Sequence, residues 1–186
     1  MKRIITIMLS IVFLSSFSYG ATPEEISKSY FELLKQKQWT EIAKLYDKTA
    51  LKDFRDMMSF LLEIPDEKAP QVLEAFFGTG ATKKTVKTMS DADFFSCFLR
   101  GTMSQAAQFG QLDFKKVEVL GSVPEGDSLR HVVTRTNIGI GDMSVETMEV
   151  ISFKKTDDKW SILLQGKMKG MAQRLKKVFE SKKIKK

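Results

Sequence analysis

Few residues of this chain have side chains suited to chemistry, and their number limits the kinds of site. The sequence contains one histidine, His131, and one cysteine, Cys97. A structural zinc site needs about four such ligands, so a zinc site built from Cys and His is excluded. We expect no metal and no cofactor, which leaves carboxylates and tyrosines as the candidates for acid–base work.

Glu149 is the carboxylate that the strand pattern places beside a predicted core. Residues 143–165 alternate like two strands joined by a tight turn at Asp157–Asp158. Such a turn places Phe153 opposite Ile162, Lys155 opposite Trp160 and Ile151 opposite Leu164. Because side chains alternate along a strand, one apolar face then carries Ile151, Phe153, Trp160, Ile162 and Leu164.

The same alternation brings Glu149 onto this face together with Thr147 and Val145. A carboxylate covered by helices there is desolvated, which makes it a candidate acid or base. A β-bulge near residues 148–150, or an exposed edge, would instead turn Glu149 outward, and bulges are common in curved sheets. Both alternatives are open at this point.

The sequence gives weaker evidence for the hydrogen-bond donors that Glu149 would need in a catalytic site. An isomerase or dehydratase needs a general base and donors that stabilise an enolate oxygen. Tyr30 and Tyr46 carry suitable hydroxyls, but their helical spacing is that of core residues. His131 falls on the opposite face of the sheet. We therefore expect a non-enzymatic protein and keep an enzyme of this kind, using Glu149, as the alternative.

Helices are predicted before the strands. Thr22-Pro23-Glu24-Glu25 is typical of a helix start with a capping box. Further helices are predicted from residue 39, over 51–62 and over 67–77, whereas 79–89 is interpreted as a loop with a short strand. Ser90 then caps a long helix whose Phe-rich face should lie along the sheet. Cys97 lies at the edge of that face, where burial and an intermolecular disulfide both remain open.

From Phe114 onward the apolar period changes to two, which predicts an antiparallel meander. If residues 139–142 form a turn, Val132 faces Glu149, Thr134 faces Thr147, and Arg135 faces Glu146. Helices followed by an antiparallel meander indicate an α+β fold with the helices on one face of the sheet.

This order of elements resembles the nuclear transport factor 2-like superfamily. The resemblance covers residues 22–166 and is carried by KQKQWTEIAKLYD, VEVLGSVPEGDSLRHVV and EVISFKKTDDKWSILLQ. It implies a cone of helices against the concave face of a curved antiparallel sheet, with a pocket between them for a small apolar ligand. It leaves the outer sheet face exposed, and we expect a homodimer contact there. The residues expected to line the pocket are Phe95, Phe98, Val117, Val119, Val132, Thr134, Thr147, Ile151, Trp160 and Ile162.

The two ends of the chain have different compositions from the body. Residues 1–20 have a basic start, an apolar run and small residues before Ala21, which predicts a secretory signal peptide. Residues 21–166 are predicted to form the domain, exported to the periplasm or secreted. The whole chain has a net charge of +7. Because residues 167–186 hold nine Lys/Arg against Glu180, the body is mildly acidic, and we expect no nucleic-acid binding.

Residues 167–186 are predicted to form a basic amphipathic helix. Met168, Met171, Leu175, Val178 and Phe179 make a narrow apolar stripe. The stripe can lie on an anionic membrane surface or dock on an envelope protein, and it can equally pack on its own domain. The cations expected to contact a membrane or partner are Lys167, Lys169, Arg174, Lys176 and Lys177.

Overall fold

The structure is a computed structural model and describes residues 20–110, 112–140 and 143–183. The predicted signal peptide lies almost entirely outside the described residues. Seven α-helices and two 3₁₀ turns are present in this part of the chain. The helices are α1 (Pro23–Lys35), α2 (Trp39–Lys44), α3 (Lys48–Met57), α4 (Ala69–Phe77), α5 (Lys83–Thr88), α6 (Asp91–Ala106) and α7 (Gly166–Lys183). The 3₁₀ turns are Ser59–Glu63 and Ala107–Phe109.

Side-chain caps define where the helices begin. Thr22 forms the expected capping box with Glu25, and Pro23 occupies the first turn of α1. Ser90 accepts a hydrogen bond from the Asp93 amide and so caps α6.

Helix α5 corrects the prediction of a loop with a short strand at residues 79–89. Thr82 and Thr85 form a second capping box, with threonine in place of the usual Glu or Gln. Val86 is fully buried, which attaches this short helix to the core. The sequence did not predict this helix because α5 contains one apolar residue, Val86, and so has no apolar periodicity.

Four antiparallel strands form the sheet, in the order β1-β2-β3-β4. The strands are β1 (Leu112–Glu125), β2 (Leu129–Ile140), β3 (Met143–Thr156) and β4 (Lys159–Ile162). The β3–β4 register is confirmed, since Phe153 pairs with Ile162 and Lys155 with Trp160. Asp157 and Asp158 have φ values of 48° and 62°, as a tight two-residue hairpin turn requires. Strand β4 ends at Ile162, so the expected Ile151–Leu164 pair is not part of the ladder.

The predicted β2–β3 register was wrong by two residues. Ile140 pairs with Met143, so Thr134 lies opposite Glu149, Thr136 opposite Thr147, and Val132 opposite Ile151. A shift of two keeps every side chain on its predicted face, because the side-chain period of a strand is two. The pairing partners therefore changed while the faces did not.

Bulges occur in β1 rather than beside Glu149. The β1–β2 register shifts between Phe114 and Lys116 and again between Val119 and Gly121, and such bulges increase the local bend of a sheet. The β2–β3 register runs without a shift. Glu149 thus keeps its place on the concave face, on the side of the helices.

The core lies between the helices and the concave sheet face. Phe94, Phe95 and Phe98 of α6 are each at most 2% exposed. Phe54 of α3 makes edge-to-face contacts with all three rings at centroid distances of 5.2–6.2 Å. The sheet contributes buried residues from β2, β3 and β4, namely Val132, Ile151, Phe153 and Ile162. The predicted α+β fold, with helices on the concave face of a curved antiparallel sheet, is confirmed.

Candidate functional site

The residues predicted to line a pocket are mostly packed into the core. Phe95, Phe98, Val132, Thr134, Ile151 and Ile162 are buried, and Val117, Val119, Thr147 and Trp160 are half-buried. The apolar members belong to one cluster that includes the helices. The middle of the cone is therefore filled by side chains, and open volume lies at its rim.

A gap of about 140 Å³ lies at the mouth of the cone, between α6 and the start of α7. Its walls are Phe54 of α3, Phe95, Phe98, Leu99 and Thr102 of α6, and Lys167, Met168 and Met171 of α7. An apolar cavity of about 150 Å³ is large enough to bind benzene. The mouth thus has room for one ring-sized apolar group while α7 is in place.

An ion pair lies at the edge of this mouth. Lys167 Nζ of α7 donates a hydrogen bond to Glu149 Oε1 of β3. The Glu149 side chain is 19% exposed and the Lys167 side chain 67% exposed. The carboxylate therefore sits just inside the cone, and the ammonium group reaches it from the solvent side.

Two buried tyrosines lie on the inner side of Glu149. Their rings meet edge to face at 6.4 Å, and the Tyr46 hydroxyl points to the sulfur of Met168 at 4.0 Å. Burial raises the pKa of Tyr30 to about 12, with the Glu149 charge adding to the effect and the Tyr46 hydroxyl opposing it. Burial also raises the pKa of Tyr46 well above its usual value, helped by Tyr30 and Glu149. Both phenols therefore stay protonated and remain hydrogen-bond donors.

Several buried polar atoms of α6, β2, β3 and the segment before α7 have no hydrogen-bond partner within the described residues. They are the hydroxyls of Thr102, Thr136 and Thr147 and the amide nitrogen of Gln165. Thr136 and Thr147 are cross-strand neighbours on the Glu149 face, and Thr102 lines the gap. None of these atoms faces the gap, whose exposed walls are entirely apolar.

The sequence pattern placed Glu149 on this face and both tyrosines in the core, but it left open what covers them. Lys167, Met168 and Met171 were assigned to a C-terminal helix that could contact a membrane, a partner or its own domain, and the structure packs them on the domain. The missed signal was distance along the chain: β4 ends at Ile162, only a few residues before α7 begins. Because the connection is so short, α7 must begin next to the sheet and can pack across it.

His131 and Cys97 lie away from the mouth. His131 is on the outer sheet face, between the Ser152 hydroxyl at 2.9 Å and the Glu125 carboxylate at 2.7 Å. Cys97 is a half-buried free thiol, with Arg100 Nη2 at 3.7 Å from its sulfur. Neither residue joins the Glu149 site.

A larger hollow of about 430 Å³ borders the other half of α7. Phe60, Ile64, Pro65, Val72 and Phe179 form its apolar surface, with charged residues around them. A third gap of about 240 Å³ lies between these two, beside Met57 and Ala172. We call the contact surface of α7 with the body, along these three gaps, the α7 seam.

The described residues were also compared with the requirements of a metal site and of a membrane-spanning helix. In that part of the chain, His, Cys, Asp and Glu nowhere form a group of three or more able to hold a metal ion. None of the helices found there combines the length and apolar character needed to cross a bilayer.

Comparison with known proteins finds distant structural likenesses. The chain matches no family model and no curated protein. A SEC-C motif containing protein from Rhodopseudomonas palustris is 16% identical, with a TM-score of 0.47 and 81% of each chain covered. A protein described as an NTF2-like transpeptidase from Campylobacter jejuni is 14% identical, with a TM-score of 0.41, covering 78% of this chain and all of that one. At these values neither likeness carries a function over to this chain.

Proposed function

We propose that this protein is an exported, non-enzymatic binding module of the bacterial envelope that holds a small apolar ligand at the mouth of its cone. The observation that carries the proposal is the apolar gap beside the Glu149–Lys167 pair. The ring-sized gap accepts the apolar part of a ligand. Because the walls of the gap expose only apolar surface, we expect the bound group to be apolar.

A ligand larger than one ring requires α7 to move. Small-molecule sites usually have volumes of about 300–1,000 Å³, well above the 140 Å³ of the closed gap. The larger hollows on the same seam become continuous with the mouth if α7 shifts outward. The closed structure thus corresponds to the empty or small-ligand state of the module.

Benzene titration tests this site directly. With methionines labelled on their methyl groups, the NMR signals of Met168 and Met171 should shift on adding benzene, because both line the gap. Thr102→Met fills the gap from the α6 side and should abolish the shifts. Ser104→Met, at an exposed position of the same helix, is the matched control and should leave them. Unchanged Met168 and Met171 signals at saturating benzene would contradict a cone-mouth site.

Export is the part of the proposal that depends on residues 1–20. Lys2, Arg3 and the apolar run after them, ending in Ser18-Tyr19-Gly20, support cleavage before Ala21. Intact-mass spectrometry of protein recovered from the periplasm or medium should give a chain that starts at Ala21. Recovery only from the cytoplasm, with Met1 or Lys2 as the first residue, would contradict export.

An enzyme of the isomerase or dehydratase kind is the second candidate, favoured by one observation. The Glu149 charge helps to raise the pKa of both Tyr30 and Tyr46, which puts a carboxylate and two phenol groups in one region of the cone. Deuterium exchange into an enolisable ketone such as cyclohexanone tests it. Exchange above the buffer rate that is lost in Glu149→Gln supports the enzyme, whereas exchange at the buffer rate removes it.

A further inference from the structure

The cations of α7 flank its apolar stripe on both sides. Met168, Met171, Leu175 and Phe179 span about 80° of the helix circumference at the usual rotation per residue. Lys167 and Arg174 fall on one side of this stripe, and Lys169 and Lys176 on the other. Helices that lie in a membrane interface have this arrangement, because flanking Lys and Arg reach the headgroups while the stripe enters the apolar layer.

Most of this charge is not used to hold α7 on the domain. The ion pairs of α7 among the described residues join Lys167 to Glu149 and Lys176 to Glu180, and the second lies within the helix. Lys169, Arg174 and Lys177 are exposed and have no ion-pair partner in that part of the chain. One exposed salt bridge contributes little to docking, so the positive charge of α7 is largely available to another surface.

The stripe itself is only partly buried against the body. Ala172 is 2% exposed, but Met168, Met171, Leu175 and Phe179 are half-buried, and the three gaps of the α7 seam lie beside them. Gaps remove packing partners from their lining and so weaken attachment. The α7 seam is thus a weak contact that a competing surface can replace.

We propose that α7 exchanges between the α7 seam and the surface of an anionic lipid bilayer, and that its departure opens the mouth of the cone. The same stripe serves both contacts, so docking on the domain and insertion at the bilayer are mutually exclusive. The body, residues 21–166, carries a small negative net charge and is itself not attracted to anionic lipid. The exchange of α7 stands without any ligand, and only its consequence for ligand entry rests on the proposed function.

Vesicle binding by the purified full chain tests the exchange. The probes are phosphatidylcholine vesicles with and without phosphatidylglycerol, and the readouts are co-sedimentation and hydrogen exchange of α7 and of the α6 segment beneath it. We expect binding to the anionic vesicles that weakens with salt, because attraction of Lys and Arg to anionic lipid is screened. We also expect faster exchange on the α6 segment around Leu99 when vesicles are bound.

Two sets of variants should shift the equilibrium of α7 between the domain and the bilayer in opposite directions. Replacing Lys169, Arg174 and Lys177 by Glu should lower vesicle affinity at least about 100-fold, at roughly fivefold per Lys or Arg. Glu149→Gln removes the docking ion pair and should raise vesicle affinity by about 1.5- to 5-fold. Glu146→Gln changes the net charge equally on the same strand but faces away from α7, so its affinity should rise less.

Several results would overturn the exchange. Equal binding to vesicles without phosphatidylglycerol would contradict it, as would equal affinities of Glu149→Gln and Glu146→Gln. Anionic vesicles that bind without changing exchange on α6 would show adhesion with α7 still docked. Polyglutamate binding as tightly as the vesicles, with the same variant pattern, would indicate an acidic protein partner and reject the bilayer.

Discussion

Helices α6 and α7 both lay an apolar stripe against the body of the domain, but they are attached very differently. Helix α6 buries three phenylalanines almost completely in a ring cluster shared with α3 and α4. Helix α7 buries Ala172 fully, keeps its larger side chains half exposed and has gaps along its length. One helix is part of the core, and the other covers it.

Two glycines show the same difference at atomic scale. A Cβ on Gly101 of α6 would lie 2.7 Å from the Phe76 carbonyl carbon and 2.9 Å from the Ala75 carbonyl oxygen, so α4 and α6 touch through their backbones. A Cβ on Gly170 of α7 would meet no atom within 4 Å. Close backbone approach fixes α6 in place, and nothing comparable fixes α7 at Gly170.

Replacing one aromatic residue by alanine on each helix should give the largest difference between them in the free energy of unfolding. Phe95→Ala in the ring cluster should lower the free energy of unfolding by about 3–5 kcal/mol, the usual cost of a large cavity in a core. Phe179→Ala, on the α7 seam, should cost about 1 kcal/mol or less, because the ring is half exposed and already borders a hollow. Urea denaturation measures both, and similar losses would contradict the comparison.

High pH should act on the body through the buried tyrosines. The folded-state pKa of Tyr30, about 12, lies above the unfolded value of about 10. Its contribution to stability is therefore complete below about pH 10 and is lost as the pH rises through about 12. Tyr46 should act in the same direction.

Ultraviolet titration of phenolate absorbance checks this pH effect, with unfolding followed in parallel. Tyr30 and Tyr46 should ionise together with unfolding rather than before it. Glu149→Gln should lower both midpoints slightly, because the Glu149 charge helps to raise both pKa values. Phenolate formation near pH 10 in the folded protein would contradict their burial.

Alanine at the two helical glycines should have effects of opposite sign. Gly101→Ala should destabilise the protein by about 1–3 kcal/mol, the usual cost of forcing an extra methyl group into a packed contact. Gly170→Ala should stabilise α7 by up to about 1 kcal/mol, because alanine has the higher helix propensity and the site is open. Thermal unfolding and circular dichroism report both, and a destabilising Gly170→Ala would show that α7 packs more tightly than described.

Removing the docking ion pair should have the smallest effect on the whole protein. Glu149→Gln should lower the global free energy of unfolding by about 0.2–1 kcal/mol, as for other partly exposed pairs. Hydrogen exchange should nevertheless rise more in α7 than in α6, where it should follow only the small global loss. Glu146→Gln is the matched control. A loss of hydrogen-exchange protection in α6 without a larger loss in α7 would contradict the role of Glu149 in holding α7 on the domain.

The faces of the sheet could be predicted from the sequence because they depend only on alternation. Glu149 was placed on the concave side although its partner was misassigned, since a register error of two residues preserves the face. The position of the turn was harder, because Gly139 and Ile140 continue β2 where a turn was expected. Glycine permits a turn but does not require one.

The site at the cone mouth could not be predicted in the same way. Its walls come from α6 and α7, which are far apart in the sequence, and periodicity describes one helix at a time. The stripe on α7 indicated that it must rest on something, but the pattern fits a bilayer and the domain equally. Only the three-dimensional contact of Lys167 with Glu149 distinguishes the docked state.

Native-state hydrogen exchange compares the two helices most directly. Local openings expose amides at free energies below that of global unfolding, and core elements open only globally. The amides of α7 should therefore exchange through openings of much lower free energy than those of α6, which should follow global unfolding. Equal protection of α6 and α7 would contradict the claim that α7 is a detachable cover on the mouth of the cone.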